Sequence, residues 1–241
     1  MMSKSEQPLP VLSAGFYHQV LILTDLNRMA LVAHVLGEIT MVDYEALLAK
    51  FRSWTDGLDP IEMRIALFER VRDIPFQPTV NLYGDRDAPE KTIAHNFGSS
   101  EAKSILLGSL FEMLNIKVMY VTYSFRWENL RVEFPSSLKQ YVRAIPVSFH
   151  TAFKAEIDGN WVLIDPTCDL PLGKVAFQVN RSWNGSSEMM LGVVEREEIV
   201  HTDPIERAKY AKLRHDHYDE EQLASLTEFY DRLNTWLETL R

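Results

Sequence analysis

The stretch HTAFKAEIDGNWVLIDPT, residues 150–167, decides how this chain folds. Ser148 to Ile157 reads as a strand, Asp158-Gly159 is a two-residue hairpin signal, and Asn160 to Asp165 reads as the returning strand. Counting outward from the turn, 157 faces 160 and 152 faces 165. His150 then stands two residues from the partner of Asp165, on the same face of the sheet and within side-chain reach. A histidine and an aspartate fixed in this way are candidates for a proton-transfer pair.

Upstream, Val118 to Phe125 alternates with period two and predicts another strand. Before it, Ile105, Leu106, Leu110, Phe111, Met113 and Leu114 form a broad apolar face, which predicts a helix from about Ser100 to Leu114. Gly98-Ser99-Ser100-Glu101-Ala102-Lys103 leads into that helix, with Ser100 expected as its N-cap. Earlier helices are expected over Tyr44–Trp54 and Ile61–Val71. Asp59 caps the second, Pro60 opens it, and Ile74-Pro75 ends it. Residues 77–97 read as a long surface loop. Downstream come short apolar pieces (Phe177–Val179, Leu191–Val194) and a turn at Trp183-Asn184-Gly185. Glu195 to Glu198 reads as a solvated charge run. Helices are expected at Pro204–Leu213 and Glu220–Leu240. In the last, Leu223, Leu226, Tyr230, Leu233, Trp236, Leu237 and Leu240 form a stripe suited to covering the sheet or the N-terminal helices, with a dimer seam as the alternative. The predicted class is α+β: a helical N-terminal part, a central helix packed on an antiparallel sheet, and C-terminal helices. The expected organisation is one domain, with an N-terminal helical region (1–58), a core (59–200) and C-terminal helices packed on it (201–241).

The 241 residues are 46% hydrophobic and 24% charged, as in ordinary globular chains. A net charge of −9 argues against nucleic acid or an anionic membrane as the main partner. The single cysteine, Cys168, rules out an intramolecular disulfide and fits a reducing compartment. Residues 1–10 lack an apolar leader core, and the most apolar stretch, Phe16 to Ile39, is broken by polar residues. The expectation is a cytoplasmic protein that uses neither a membrane nor nucleic acid; its oligomeric state is left open.

A helix N-terminus concentrates partial positive charge and free N–H groups, so an anionic nucleophile and an oxyanion are both stabilised there. A histidine on a neighbouring strand can take a proton, and an aspartate beyond it can fix the imidazole tautomer. Position 100, His150 and Asp165 therefore describe a nucleophile–His–Asp triad of the papain type. The residues around them resemble the transglutaminase-like superfamily. Gly98-Ser99-Ser100, Lys103, Ile105-Leu106-Leu107 and Leu110 to Ile116 are similar to its nucleophile segment. His150 to Thr167 is similar to its His segment, with an Asp-Gly turn, a Trp-Val and an Asp-Pro-Thr at matching spacing. Glu62 to Pro75, with Ala66, Val71-Arg72-Asp73 and Ile74-Pro75, resembles the helix that precedes the site. The likeness covers about residues 60–170, and Trp183-Asn184-Gly185 resembles prokaryotic members. It implies a papain-like α+β fold. The implied activity is acyl transfer to, or hydrolysis of, a peptide, a glutamine side chain or a small amide, through an acyl intermediate. Ser100 would occupy the nucleophile seat, His150 would act as general base and acid, and Asp165 as orienting group. The backbone N–H of residue 100 would serve the oxyanion, and no metal or organic cofactor is needed.

The departure lies at position 100, where the family has cysteine. A thiol ionises near pH 8.5 and more easily beside an imidazolium and a helix N-terminus, whereas a serine hydroxyl requires concerted removal of its proton. Activity several orders of magnitude below that of a cysteine enzyme is expected. The serine is an engineered Cys→Ser change, a natural feature of a pseudoenzyme that binds without cleaving, or a natural serine nucleophile; the sequence leaves all three open. A catalytically inactive binding module that keeps the cleft is thus the main alternative to an enzyme.

Other residues have plainer expectations. Cys168 could be a relocated nucleophile, but it is not at a helix start and reads as a small packing residue. His215-Asp216-His217 hints at a metal-dependent hydrolase, but with no third ligand at suitable spacing it reads as a solvated loop between helices. His95 reads as a loop histidine on the cleft rim. Lys103 is given no chemistry, and Trp127, Trp161 and Trp183 read as core or cleft wall.

Overall fold

The computed structural model describes residues 41–80, 89–201 and 204–241. The chain divides into two units, Met1–Glu45 and Ala46–Arg241, and the first described helix begins within the first of them. The apolar stretch Phe16–Ile39 lies outside the described residues.

Helix α1 spans Met41–Thr55, and α2 spans Pro60–Arg72. The start of α2 is a reciprocal cap: Asp59 Oδ1 accepts from Ile61 and Glu62 N–H, and Glu62 Oε2 accepts from Asp59 N–H. Residues 89–95, expected within a loop, form a short helix, α3 (Pro89–His95). Its proline starts the helix, because the missing N–H would have been unpaired there in any case.

Helix α4 (Ser100–Met113) is the centre of the fold. Leu106, Leu107, Leu110 and Phe111 are fully buried, each contributing about 1.5–3 kcal/mol by leaving water. The small residues Ser104 and Gly108 let neighbours approach its remaining faces, so the helix is buried nearly all round. It ends where Asn115 adopts φ 61°, with Asn115 N–H donating to Glu112 O and Ile116 N–H to Phe111 O.

Strand β1 (Val118–Phe125) follows, then a 3₁₀ turn at Trp127–Asn129 and helix α5 (Ser136–Val142). Next comes the hairpin β2 (Ser148–Ile157) and β3 (Asn160–Ile164). Its turn has φ 52° at Asp158 and φ 80° at Gly159, the paired positive values of a tight type I′ connection. The register is as counted from the turn: Ile157 faces Asn160 and Phe153 faces Ile164. Strand β3 stops at Ile164, so Asp165 lies just beyond its end rather than within it. The charge run at Glu195–Glu198 is solvated as expected, with Glu195, Glu197 and Glu198 exposed. It belongs to strand β4 (Glu195–His201), antiparallel to β1. Strong charge on a strand suits the edge of a sheet, where it discourages further pairing. Here Lys154 Nζ meets Glu198 Oε1 at 2.8 Å. Among the described residues the sheet has four antiparallel strands in the order β3-β2-β1-β4, and with the helices it makes an α+β fold.

Helices α6 (Pro204–Asp216) and α7 (Glu220–Glu238) follow. His215 and Asp216 fall in the last turn of α6, not in a loop. In α7, Leu226, Phe229, Leu233 and Leu237 are the fully buried stripe, at spacings of three and four. They close a core cluster with Phe125, Trp127, Phe134 and Phe177. Phe229 meets Trp127 edge-on at 5.3 Å, a geometry favoured by the ring quadrupoles. Among the described residues no helix is long and apolar enough to cross a membrane.

Candidate active site

The start of α4 is built by a division of labour between two serines. Ser99, not Ser100, is the N-cap: its φ and ψ are −69° and 174°, and its hydroxyl accepts from Ala102 N–H. Ser100 is therefore the first helical residue, and its hydroxyl is released from capping. Lys103 N–H bonds Ser99 O, so Ser100 and Glu101 carry the first-turn N–H groups with no intrahelical acceptor.

The end of β3 makes room for this helix start. Because β3 stops opposite Phe153, the outer edge of β2 is uncovered at Thr151. Two serines one turn apart fill the gap. Ser100 Oγ accepts from Thr151 N–H at 3.3 Å, and Ser104 Oγ–H donates to Thr151 O at 2.9 Å. Ser100 thus sits against the residue that follows His150.

His150 Nε2 is 2.8 Å from Asp165 Oδ2, and both residues are 3% exposed. Asp165 also accepts from Gly192 N–H at 2.7 Å and from Thr167 N–H at 3.0 Å. Burial by itself would raise the Asp165 carboxyl. The His150 charge, its hydrogen bond and the two backbone donors outweigh that and hold the carboxyl below its ordinary 3.8. An ionised carboxylate only accepts, so Nε2 carries the proton of this hydrogen bond. Gly192 is required here: a Cβ would come within 3.2 Å of Asp165 Oδ2 and 3.4 Å of His150 Cε1.

Lys103 lies beneath the site, fully buried on α4. Its Nζ donates to Arg72 O at 2.9 Å, Ile74 O at 2.7 Å and Thr167 O at 2.7 Å. One ammonium thereby ties the end of α2, the turn at Pro75 and the Asp165-Pro166-Thr167 segment to helix α4. Burial pushes its pKa down to about 8, against the opposing pull of Asp169, Cys168 and Asp165. Gly98 must lack a side chain for this stem to pass, since a Cβ would lie 3.1 Å from Lys103 Cγ.

Cys168 lines the same cavity; burial pushes its thiol well up, and the Asp165 charge adds to the shift. His95 is exposed at the end of α3, stacked on Phe97 at 5.6 Å, and does not line the cavity. Trp183 is core, packed on Phe68 and Phe111, while Trp161 is 41% exposed on β3 and Trp127 lines the cavity. His217 is exposed, and among the described residues no group of three or more His, Cys, Asp or Glu is arranged to hold a metal ion.

Four participants have little or no sequence signal. Thr151 acts through its backbone. Gly192 lies 27 residues beyond Asp165 in an irregular segment. Asn180 folds that segment back, donating to Asp165 O and Met190 O and accepting from Met190 N–H. Glu101 is a fourth: it meets Arg207 and Arg214, each at 3.2 Å, which tethers α6 over the start of α4.

No protein-family model and no curated protein matches the sequence. Among solved structures, the chain is similar to one described as a "putative cysteine protease" from Cytophaga hutchinsonii. The identity is 16%, the TM-score 0.38, and the match covers 66% of this chain and half of that one.

Proposed function

We propose that the chain carries the papain-like site of a transglutaminase-like amide hydrolase or acyltransferase, with serine in the nucleophile seat. The observation that carries this reading is the joining of three separate segments in one buried cluster. The helix-start Ser100 is held by Thr151 N–H, and His150 is held through Nε2 by an ionised Asp165. The substrate is a peptide or small amide. The nucleophile at 100 adds to the carbonyl carbon, its proton passes to His150 Nδ1, and the first-turn N–H groups of α4 receive the oxyanion. The imidazolium then gives its proton to the leaving amine, and water or a second amine releases the acyl group. Asp165 keeps Nε2 protonated throughout, and the chemistry calls for no cofactor.

A second reading, a binding module that keeps the cleft without turnover, is favoured by one observation. Ser100 Oγ takes its hydrogen bond from Thr151 N–H, and His150 Nε2 bonds Asp165, so among the described residues no hydrogen bond joins Ser100 to His150. The two readings part on a label. A fluorophosphonate that attaches to Ser100 of the native chain supports a serine enzyme and sinks the binding module. No label on the native chain, together with fast alkylation and amide hydrolysis once Ser100→Cys is made, supports a cysteine-type site stopped at one atom. An inert Ser100→Cys variant sinks the enzyme reading.

A further inference from the structure

We infer that Lys103 is the positioning residue of the site: through Thr167 it sets Asp165 opposite His150, and in the same frame it holds the start of α4. This rests on the reading of position 100 as the nucleophile seat. Lys103 is one helical turn beyond Ser100, so its side chain leaves α4 on nearly the same side. It is fully buried, and its Nζ bonds Arg72 O, Ile74 O and Thr167 O at 2.9, 2.7 and 2.7 Å.

Packing alone does not call for a lysine at this place. A methionine would fill similar space without the cost of taking a charge out of water. What an apolar chain cannot do is send three bonds from one atom to three segments of backbone. Three carbonyls need three donors, and among side chains only an ammonium carries three on one atom. Lys103 is in that form at neutral pH, since burial lowers its pKa only to about 8.

One of the three bonds leads on to the histidine. Thr167 O accepts from Lys103, and Thr167 N–H donates to Asp165 Oδ1 at 3.0 Å. The other oxygen of that carboxylate takes the bond of His150 Nε2 at 2.8 Å. The next residue of α4, Ser104, bonds Thr151 O, beside His150. Consecutive residues of one helix thus fix the two partners separately: Ser104 holds the strand of His150, and Lys103 holds the segment of Asp165. Gly192 and Asn180 also bond Asp165, so without Lys103 the aspartate follows the irregular 180–192 segment rather than α4.

The test reads the proton on His150 Nε2 by isotope-edited NMR, in a chain that keeps Ser100. Lys103→Met should speed its exchange with solvent by at least about tenfold, and an unchanged rate overturns the proposal. Leu233→Ala, in the buried stripe of α7 and outside the cavity lining, should leave that rate within about twofold. Equal acceleration by the two variants overturns the proposal, because the lysine would then act through stability alone. In Ser100→Cys, Lys103→Met should slow iodoacetamide labelling of the introduced thiol by at least about tenfold while Asp165 is present, and by less than about twofold once Asp165→Asn is also made. A cost of the same size in both backgrounds overturns the route through Asp165. Should Lys103→Met not fold, Lys103→Gln serves, with two donors for three carbonyls. It should move both readouts in the same direction; native values in it overturn the proposal, as does the failure of both variants to fold. An introduced thiol that is unreactive whatever stands at position 103, while Lys103→Met still speeds exchange at His150, defeats the nucleophile reading and leaves the positioning role standing.

Discussion

Replacing Asp165 by asparagine tests the pairing on which the site depends. The change keeps shape and size but substitutes an NH₂ for one acceptor oxygen. Two orientations are open. With nitrogen in the place of Oδ2, Gly192 N–H, now bonded at 2.7 Å, faces a donor, and His150 Nε2 must lose its proton to accept from the amide. With nitrogen in the place of Oδ1, only the 3.0 Å bond from Thr167 N–H is lost, and the His150 tautomer survives. The second orientation costs less. It leaves Thr167 N–H and the new amide NH₂ facing each other as donors, about 1–3 kcal/mol for each, and weakens two charge-assisted bonds to neutral ones, so the variant should lose at least about 3 kcal/mol at neutral pH. The sign with pH follows from the depressed carboxyl. Its stabilisation is complete above the unfolded value near 4 and is lost as pH falls through the lower folded value. The deficit of Asp165→Asn should therefore shrink below about pH 4. Urea unfolding of both proteins at pH 7, 5 and 3.5 measures it. A deficit under about 0.5 kcal/mol at pH 7, or one that does not change with pH, would refute the network as described.

Further outcomes follow from the residues around Ser100, His150 and Asp165. Lys103 has its pKa lowered from 10.5 to about 8, so between those values the unfolded chain binds a proton that the native state does not. Native stability relative to Lys103→Met should accordingly rise by about 1 kcal/mol between pH 8.5 and 9.5, and a flat difference counts against a buried ammonium. Ser99→Ala should cost about 1 kcal/mol by uncapping α4, read from the thermal midpoint; a neutral result would contradict the capping assignment. Gly192→Val should destabilise by about 1–3 kcal/mol, and in a Ser100→Cys background it should slow thiol alkylation because the added carbons displace the His150–Asp165 pair. Equal alkylation rates with and without the valine would show that the pair tolerates the intrusion.

Legibility of the fold in the sequence tracked how local each signal was. The Asp158-Gly159 turn sets a register that can be counted, so the relation of His150 to Asp165 could be placed from residue numbers alone. The apolar pattern of α4 and the Asp59-Pro60 start of α2 were equally plain, being decided within one or two helical turns. The shift of the cap from Ser100 to Ser99 was not, because adjacent serines have the same propensity and only the backbone decides which of them stays extended. Glu195–Glu198 is solvated as read, but its strand went unseen because edge strands tolerate charge that local propensity counts against a strand. The Gly192 and Asn180 contacts are backbone arrangements within irregular chain and leave no periodic trace. Lys103 was visible as a residue, but its partners are carbonyls, which every residue type supplies.

The most direct measurement is the rate of iodoacetamide labelling of Ser100→Cys as a function of pH, with site assignment by mass spectrometry. Cys168 is the internal control, a buried thiol pushed well up by burial. The account predicts that the introduced thiol labels at least about 100-fold faster than Cys168 at pH 7, that its rate persists well below pH 8.5, and that Asp165→Asn moves the profile up by about one pH unit. An introduced thiol that labels no faster than Cys168, or that follows the pH profile of an ordinary cysteine whether or not Asp165 is present, would contradict the claim that position 100 is a nucleophile seat served by His150 and Asp165.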